Sequence, residues 1–167
     1  MSGTVNIETL RNQPDSARLY KWDVNLSGPG PGGADTINLR ATTVDQPNPS
    51  YSVIDVTIRG FTKKEAGGIE WNPINFTVIE VDSYEVLQTL WGWGQKQFDA
   101  RSGVQQNKSG YEGDLMIFME NLQDSPTAKW KLYGCVLESM APPGLQSDKS
   151  GFNETSFSVA YDYAELM

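Results

Sequence analysis

Apolar and polar positions alternate most regularly in the last third of the chain. Trp130, Leu132, Gly134 and Val136 share one side of Lys129–Leu137 at period two. Further on, Phe157, Val159, Tyr161 and Tyr163 alternate strictly with Ser156, Ser158, Ala160 and Asp162. Successive side chains of a strand point to opposite faces of its sheet. The pattern therefore predicts strands over Lys129–Leu137 and Thr155–Tyr163, the second with one apolar face and one wet or subunit-facing face. Glu138–Glu154 between them, with Pro142, Pro143, Gly144 and Gly151, is expected to be a loop that turns at Asp148-Lys-Ser150.

Earlier segments supply the rest of a sheet. Leu19–Leu26 sets Tyr20, Trp22 and Val24 against Lys21, Asp23 and Asn25, and Ile37–Thr43, Tyr51–Phe61 and Ile74–Ile79 also read as strands. In Tyr51–Phe61 the residues Ile54, Val56 and Ile58 face one way, and Val53, Asp55, Thr57 and Arg59 the other. Leu115–Met119 is apolar at every position, which predicts a strand buried on both sides. Ser27–Gly33, rich in glycine and proline, is expected to be a surface loop, Asp45–Ser50 a turn, and Thr62–Gly68 a charged loop. Arg101–Tyr111 and Asn121–Lys129 read as further connections.

Ser83–Asp99 is the one stretch with helical periodicity. Tyr84, Leu87, Trp91, Gly94 and Phe98 form a stripe expected to face the sheet, and Asp82 with Glu85 resembles a capping box. Gly92 and Gly94 each cost roughly 1 kcal/mol relative to alanine, which close packing would offset. The candidate core is Trp22, Ile54, Val56, Ile58, Leu87, Trp91, Trp130, Phe157, Val159 and Tyr161. Residues 1–18, polar with Pro14 and Asp15, read as a flexible arm, and 19–167 as a single domain.

Composition narrows the chemistry. The chain has 167 residues, enough for one domain with a real core, and a net charge of −8, which argues against a surface that grips phosphates. It contains no histidine and one cysteine, Cys135, so the commonest general base, the commonest zinc ligand and any internal disulfide are missing. No nucleophile elbow or phosphate-binding loop is present. The acids Asp23, Asp55, Glu80 and Asp162 are scattered and read as solvated or lumen-facing. The expectation is a non-enzyme with no cofactor and no bound metal. Without a signal-peptide pattern or a long apolar run, the chain is expected to fold in a cytoplasm, with no membrane span. Trp91 and Trp93, with Trp71, could alternatively form a sugar-stacking platform, as in a monomeric carbohydrate-binding β-sandwich.

The ordered set of elements carries a resemblance. Trp130-Lys-Leu-Tyr-Gly134, the proline-bearing loop and Phe157-Ser-Val-Ala-Tyr-Asp-Tyr163 resemble the C-terminal half of tail tube proteins of contractile-tailed bacteriophages. Leu19–Leu26 resembles the first strand of that family, and Ile37–Thr43 with Pro47 and Pro49 its second strand and following turn. Bacteriocin and type VI secretion tube proteins are related to it in fold. The resemblance implies a mainly β chain: a β-sandwich or open barrel with one flanking α-helix, completing a β-barrel on ring oligomerisation. It implies a homohexamer stacked into a hollow tube that conducts DNA without specific binding, and a virion location after assembly in the host cytoplasm. Sheath, tape-measure, baseplate and tail-terminator proteins are the implied partners. A bacteriocin-like or type VI-like tube carrying effectors is the alternative.

Two surfaces follow as expectations. Asn38, Arg40, Asp55, Thr57 and Arg59 are the candidate lumen face, with Arg40 and Arg59 expected to pair with acids such as Asp55. Lys63, Lys64, Glu65, Gly67 and Gly68, together with the N-terminal arm, are the candidate contacts between rings.

Overall fold

The computed structural model describes residues 6–147 and 150–167; Asp148 and Lys149, where a turn was expected, lie outside them. In order the chain forms α1 (Ile7–Arg11), β1 (Trp22–Ser27), α2 (Asp35–Arg40), β2 (Ala41–Val44), β3 (Asn48–Ile58), β4 (Phe61–Asn72), β5 (Ile74–Ile79) and α3 (Glu85–Gln97). It continues through α4 (Lys108–Tyr111), β6 (Gly113–Glu120), β7 (Pro126–Ala141), β8 (Glu154–Ala160) and β9 (Tyr163–Leu166). The chain is mainly β. Its main sheet is antiparallel in the order β1-β6-β7-β8-β5-β2, with β9 also on β7, while β3 and β4 form a separate hairpin.

The long strand β7 organises the sheet. Along one side it pairs with β6, and along the other with β8 and then β9. The pairs Val136–Ala160 and Tyr133–Tyr163 keep one register, so β8 and β9 are nearly the single strand that alternation predicted. The interruption falls at Tyr161–Asp162, opposite Gly134. Gly134 has φ 65°, and a Cβ there would collide with the Asp162 carboxylate. The left-handed backbone and the missing side chain let the Asp162 N–H reach the Tyr133 carbonyl at 2.9 Å.

One apolar core is shared by the sheet and α3. It contains Val24 and Leu26 of β1, Ile74, Phe76 and Val78 of β5, Leu115 and Ile117 of β6, Leu132 and Cys135 of β7, and Phe157 and Val159 of β8. Phe76 and Phe157, partners in register, stack with ring centroids 4.7 Å apart. Tyr161 is buried, while Trp22 and Trp130 are half-buried against the same cluster. Strand β6 buries Leu115 and Ile117 but leaves Met116 and Phe118 half-exposed, so only one of its faces is deep core.

Helix α3 forms, but with a different face inward. Val86, Leu90 and Trp93 are buried; Tyr84, Trp91 and Phe98 are exposed, and Leu87 is half-buried. The expected capping box is not used. Tyr84 at the helix start is left-handed (φ 57°) and offers no side-chain cap. Glu80, at the end of β5, supplies it: its carboxylate accepts the N–H groups of Val86 at 3.0 Å and Leu87 at 3.1 Å. Glu80 is buried, contrary to its reading as a solvated acid, because these bonds replace its water.

Tertiary contacts override local pattern elsewhere. The expected strand Ile37–Thr43 divides into α2 and the short β2, because Ile37 enters the core while Leu39 is 85% exposed. Alternation there did not mark one buried face. The Asn38 side chain accepts from the Leu26 N–H at 2.8 Å and donates to the Leu26 carbonyl at 3.3 Å, tying α2 to β1. Ser27–Gly33 is not wholly a surface loop. Gly30 and Pro31 are buried, and a Cβ on Gly30 would strike the Tyr111 carbonyl and the Trp93 indole. Thr62–Gly68 belongs to strand β4 rather than to a loop.

Candidate assembly surfaces

Beyond its foot, where Trp71 packs against the core, the β3–β4 hairpin stands apart. Its register runs from Asn48–Asn72 to Ile58–Phe61, with a bulge between Tyr51 and Val53. Arg59 and Gly60 make the two-residue turn with φ 50° and 82°, the left-handed pair that matches strand twist. Ile54, Val56 and Ile58 do share one face, opposite Glu65, Lys63 and Phe61. That face is not core: Ile54 is 53% and Ile58 63% exposed, and Val56 is half-buried. The hairpin's own strands cannot cover both of its faces. Trp91, on α3, is also no core residue, at 58% exposure.

The second hairpin face carries polar pairs. Asp55 and Lys64 form an ion pair at 2.8 Å, and the Thr57 and Thr62 hydroxyls lie 3.3 Å apart. On the apolar face Lys63 and Glu65 pair at 3.0 Å. Ser52 bridges the bulge, its Oγ accepting from the Gly68 N–H at 2.7 Å and donating to the Gly68 carbonyl at 3.3 Å. Of the candidate ring contacts, Lys63, Lys64 and Glu65 are thus ladder positions along β4, and Gly67 and Gly68 sit at the bulge opposite Ser52.

The five candidate lumen residues do not form one face. Asp55 and Thr57 sit on β3, Arg59 is in the hairpin turn, and Asn38 and Arg40 are on α2. Asp55 pairs with Lys64 instead of an arginine. Arg40 donates to the main-chain carbonyls of Ile79 at 2.9 Å and Glu80 at 3.4 Å. It ties α2 to the end of β5.

The open edges of the main sheet escaped the sequence reading; β1 and β9 each pair on one side only, and two further edges lie at β2 and β7. Strand β2 pairs only with β5, leaving its outer side without a strand partner among the described residues. The side of β7 that pairs with β6 is covered only up to Cys135, so Val136–Ala141 lacks a strand there. Gln97 of α3 substitutes for one at Leu137, accepting its N–H at 2.6 Å and donating to its carbonyl at 2.9 Å. Local pattern marks a strand but not which of its sides is paired.

Reactive chemistry is dispersed. The Asp162 carboxylate is held by Lys108 at 2.5 Å, Asp55 by Lys64, and Glu80 by the α3 amides. None of these acids forms a dyad. Trp93 is buried and donates to the Tyr111 carbonyl at 2.7 Å, whereas Trp91 is exposed, so the two share no platform. Trp71 packs on Tyr161 at 5.8 Å. Burial pushes the Cys135 thiol up to about 12, which keeps it protonated and inert at neutral pH. Among the described residues no three His, Cys, Asp or Glu side chains gather as metal ligands, and no helix is long and apolar enough to cross a membrane.

No family model and no curated protein matches this sequence. Solved structures do match its shape. A chain from the cryo-EM structure of the anti-feeding prophage tube-terminating cap superposes with TM-score 0.71 at 12% identity, covering 93% of each chain. One from the PVC sheath–tube complex of an extracellular contractile injection system, in the extended state, gives 0.66 at 12% identity over 98% of this chain and 99% of that one. A type six secretion system protein gives 0.50 at 10% identity over 87% and 81%. The fold is thus one shared with chains of contractile injection assemblies. The resemblance seen in the C-terminal strands led to the same fold.

Proposed function

We propose that the protein is a structural, non-catalytic subunit of the tube of a contractile injection particle, specifically a phage-type tail tube. Six copies form a ring, and rings stack into a hollow conduit through which DNA leaves the particle. The observation that carries this reading is the shared fold with a chain of a sheath–tube complex over nearly the full length of both. The open edges support it physically. Two different open edges on one subunit, β2 and the end of β7 beyond the Gln97-held Leu137, suit head-to-tail pairing that closes into a ring and covers both.

The hairpin supports stacking. A two-stranded hairpin is marginal alone, and past its anchored foot β3–β4 leaves Ile54 and Ile58 exposed for a neighbour to cover. In this reading the hairpin and the N-terminal arm, residues 1–18, contact the next ring. Sheath, baseplate, tape-measure and terminator proteins are the partners, and the mature location is the virion tail.

Electron microscopy of the purified protein, with sedimentation across a concentration series, tests the proposal. Six-membered rings or open tubes are expected. A chain that stays monomeric throughout, even when seeded with tube fragments, overturns it. Nucleic acid recovered from particles carrying the tube separates a DNA conduit from an effector conduit.

A further inference from the structure

The main sheet turns two very different outer surfaces away from its core. On β2, β5, β8 and the C-terminal half of β7, the residues opposite the core are mostly small and hydroxylic, Thr43, Asn75, Thr77, Ser139, Ser156 and Ser158, with Ala141, Ala160 and the half-buried aliphatics Ile79 and Val136 among them. The register places them side by side, Asn75 against Ser158 and Thr77 against Ser156, with Ser158 against Ser139. These four strand segments carry no lysine or arginine, and their two acids are Glu138, at the β7 bulge, and Glu154, at the start of β8. Over β1, β6 and the first half of β7 the outward side chains instead include Asp23, Asp114, Glu120, Lys129 and Lys131 beside Phe118.

We infer that the hydroxyl face of β2, β5, β8 and the end of β7 is the channel wall of the tube. The inference rests on the tube reading and deepens it. A charged polymer passes without sticking only where few cations meet it, since each lysine or arginine contact to phosphate is an attractive stop. It also requires that no large apolar side chain offer a stacking platform. This four-strand surface carries no cation and no outward aromatic ring, and its largest apolar side chains, Ile79 and Val136, are half-buried aliphatics that cannot stack on a base. The hairpin does not: one of its faces presents Lys63 and exposed Phe61, the other Lys64.

The hydroxyls are also tied down. Ser158 Oγ donates to Asn75 Oδ1 at 2.5 Å, Thr77 and Ser156 hydroxyls approach at 3.5 Å, and Thr42 Oγ1 donates to the Thr77 carbonyl at 3.1 Å. Side chains bonded along their own sheet have less free hydrogen-bonding capacity for a passing cargo. The surface is bounded on both sides by open edges, at β2 and at Val136–Ala141. Edge pairing between copies would therefore extend this same face around the ring.

Single cysteines test the assignment directly, because Cys135 is buried and leaves the parent protein unlabelled. Thr77→Cys and Ser158→Cys, both away from the open edges, are assembled into rings and labelled with a small maleimide or a maleimide gold cluster. End-on image averages then locate the gold. Gold lining the central channel for either variant, with ring formation as in the parent, is the expected result. Gold on the outer circumference, or cysteines shielded from the small maleimide by neighbouring subunits, overturns the wall assignment while the rings stand. If the parent itself forms no rings, the tube reading fails and the wall assignment with it.

Discussion

Replacing Glu80 by alanine removes the side chain that caps the start of α3. The carboxylate accepts from the N–H groups of Val86 and Leu87 at 3.0 and 3.1 Å, with Val81 at 3.2 Å and the Thr155 hydroxyl at 3.4 Å as weaker donors. Loss of a helix cap costs about 1 kcal/mol. Hydrogen bonds to a charged group contribute about 1.5–3 kcal/mol, and donors left unpaired in a buried site add to the loss. The expected destabilisation is therefore about 3 kcal/mol for Glu80→Ala. Glu80→Gln keeps one acceptor oxygen and should cost about half as much, by the same magnitudes. Urea unfolding followed by tryptophan fluorescence, at concentrations where the protein is monomeric, measures both. Trp93 is buried on α3, so its emission reports the helix leaving the sheet. A Glu80→Ala variant within about 0.5 kcal/mol of the parent, the range of ordinary surface changes, would refute the capping argument.

Three further outcomes follow from the geometry. Gly134→Ala should destabilise by about 2 kcal/mol or more, since it sets a Cβ at positive φ against Asp162; an unchanged midpoint in the same urea assay would contradict that. Val56→Pro should leave circular dichroism and thermal unfolding of the core nearly intact yet abolish tubes, because Val56 belongs to a hairpin outside the core. Tubes of normal length from this variant would count against the hairpin's part in stacking. Cys135 should ignore a thiol reagent at neutral pH in the folded protein and react fully in urea, because burial holds its thiol at about 12; reactivity would return only as pH rises toward that value or as the chain unfolds.

Alternation revealed strands wherever one face met this chain's own core. The segment Thr155–Tyr163 was legible for that reason: Phe157, Val159 and Tyr161 are buried while Ser156 and Ser158 are not. The same period in Ile54, Val56 and Ile58 identified a strand correctly but suggested the wrong burial. A hydrophobic pattern does not say whether its cover lies in the same molecule. Helix α3 carries two apolar stripes, Val86-Leu90-Trp93 and Tyr84-Leu87-Trp91-Phe98, so helical spacing could not choose between them. Partners distant in sequence decide: Trp93 bonds Tyr111 and Gln97 bonds Leu137, contacts that leave no local signature. The Glu80 cap was hidden likewise, since it reaches six residues forward from a strand instead of sitting at the helix boundary. The hydroxyl face was partly legible as the wet side of Thr155–Tyr163, but its continuation onto β5 and β2 needed the register.

The hairpin and the hydroxyl face are mechanically one piece. The pairs Val44–Phe76 and Asn48–Asn72 belong to a single register, so β3–β4 prolongs the β2–β5 ladder beyond the core. The breaks in the strands, at Asp45–Pro47 and Pro73, are bridged. Asp45 donates its N–H to the Asn75 carbonyl at 3.1 Å, and its carboxylate accepts both the main-chain and side-chain N–H of Asn75 at 3.0 and 3.1 Å. Trp71 against Tyr161 fixes the other strand at the foot. A hairpin on a loose hinge would give up much conformational entropy when it docked, whereas one held in register at its foot gives up less. Its apolar face is then presented in a set direction. In a stacked tube, a pull on that hairpin would run along main-chain hydrogen bonds into β5, the strand that carries Asn75 and Thr77 of the proposed wall. The contact between rings and the shape of the channel would thereby be coupled through one ladder.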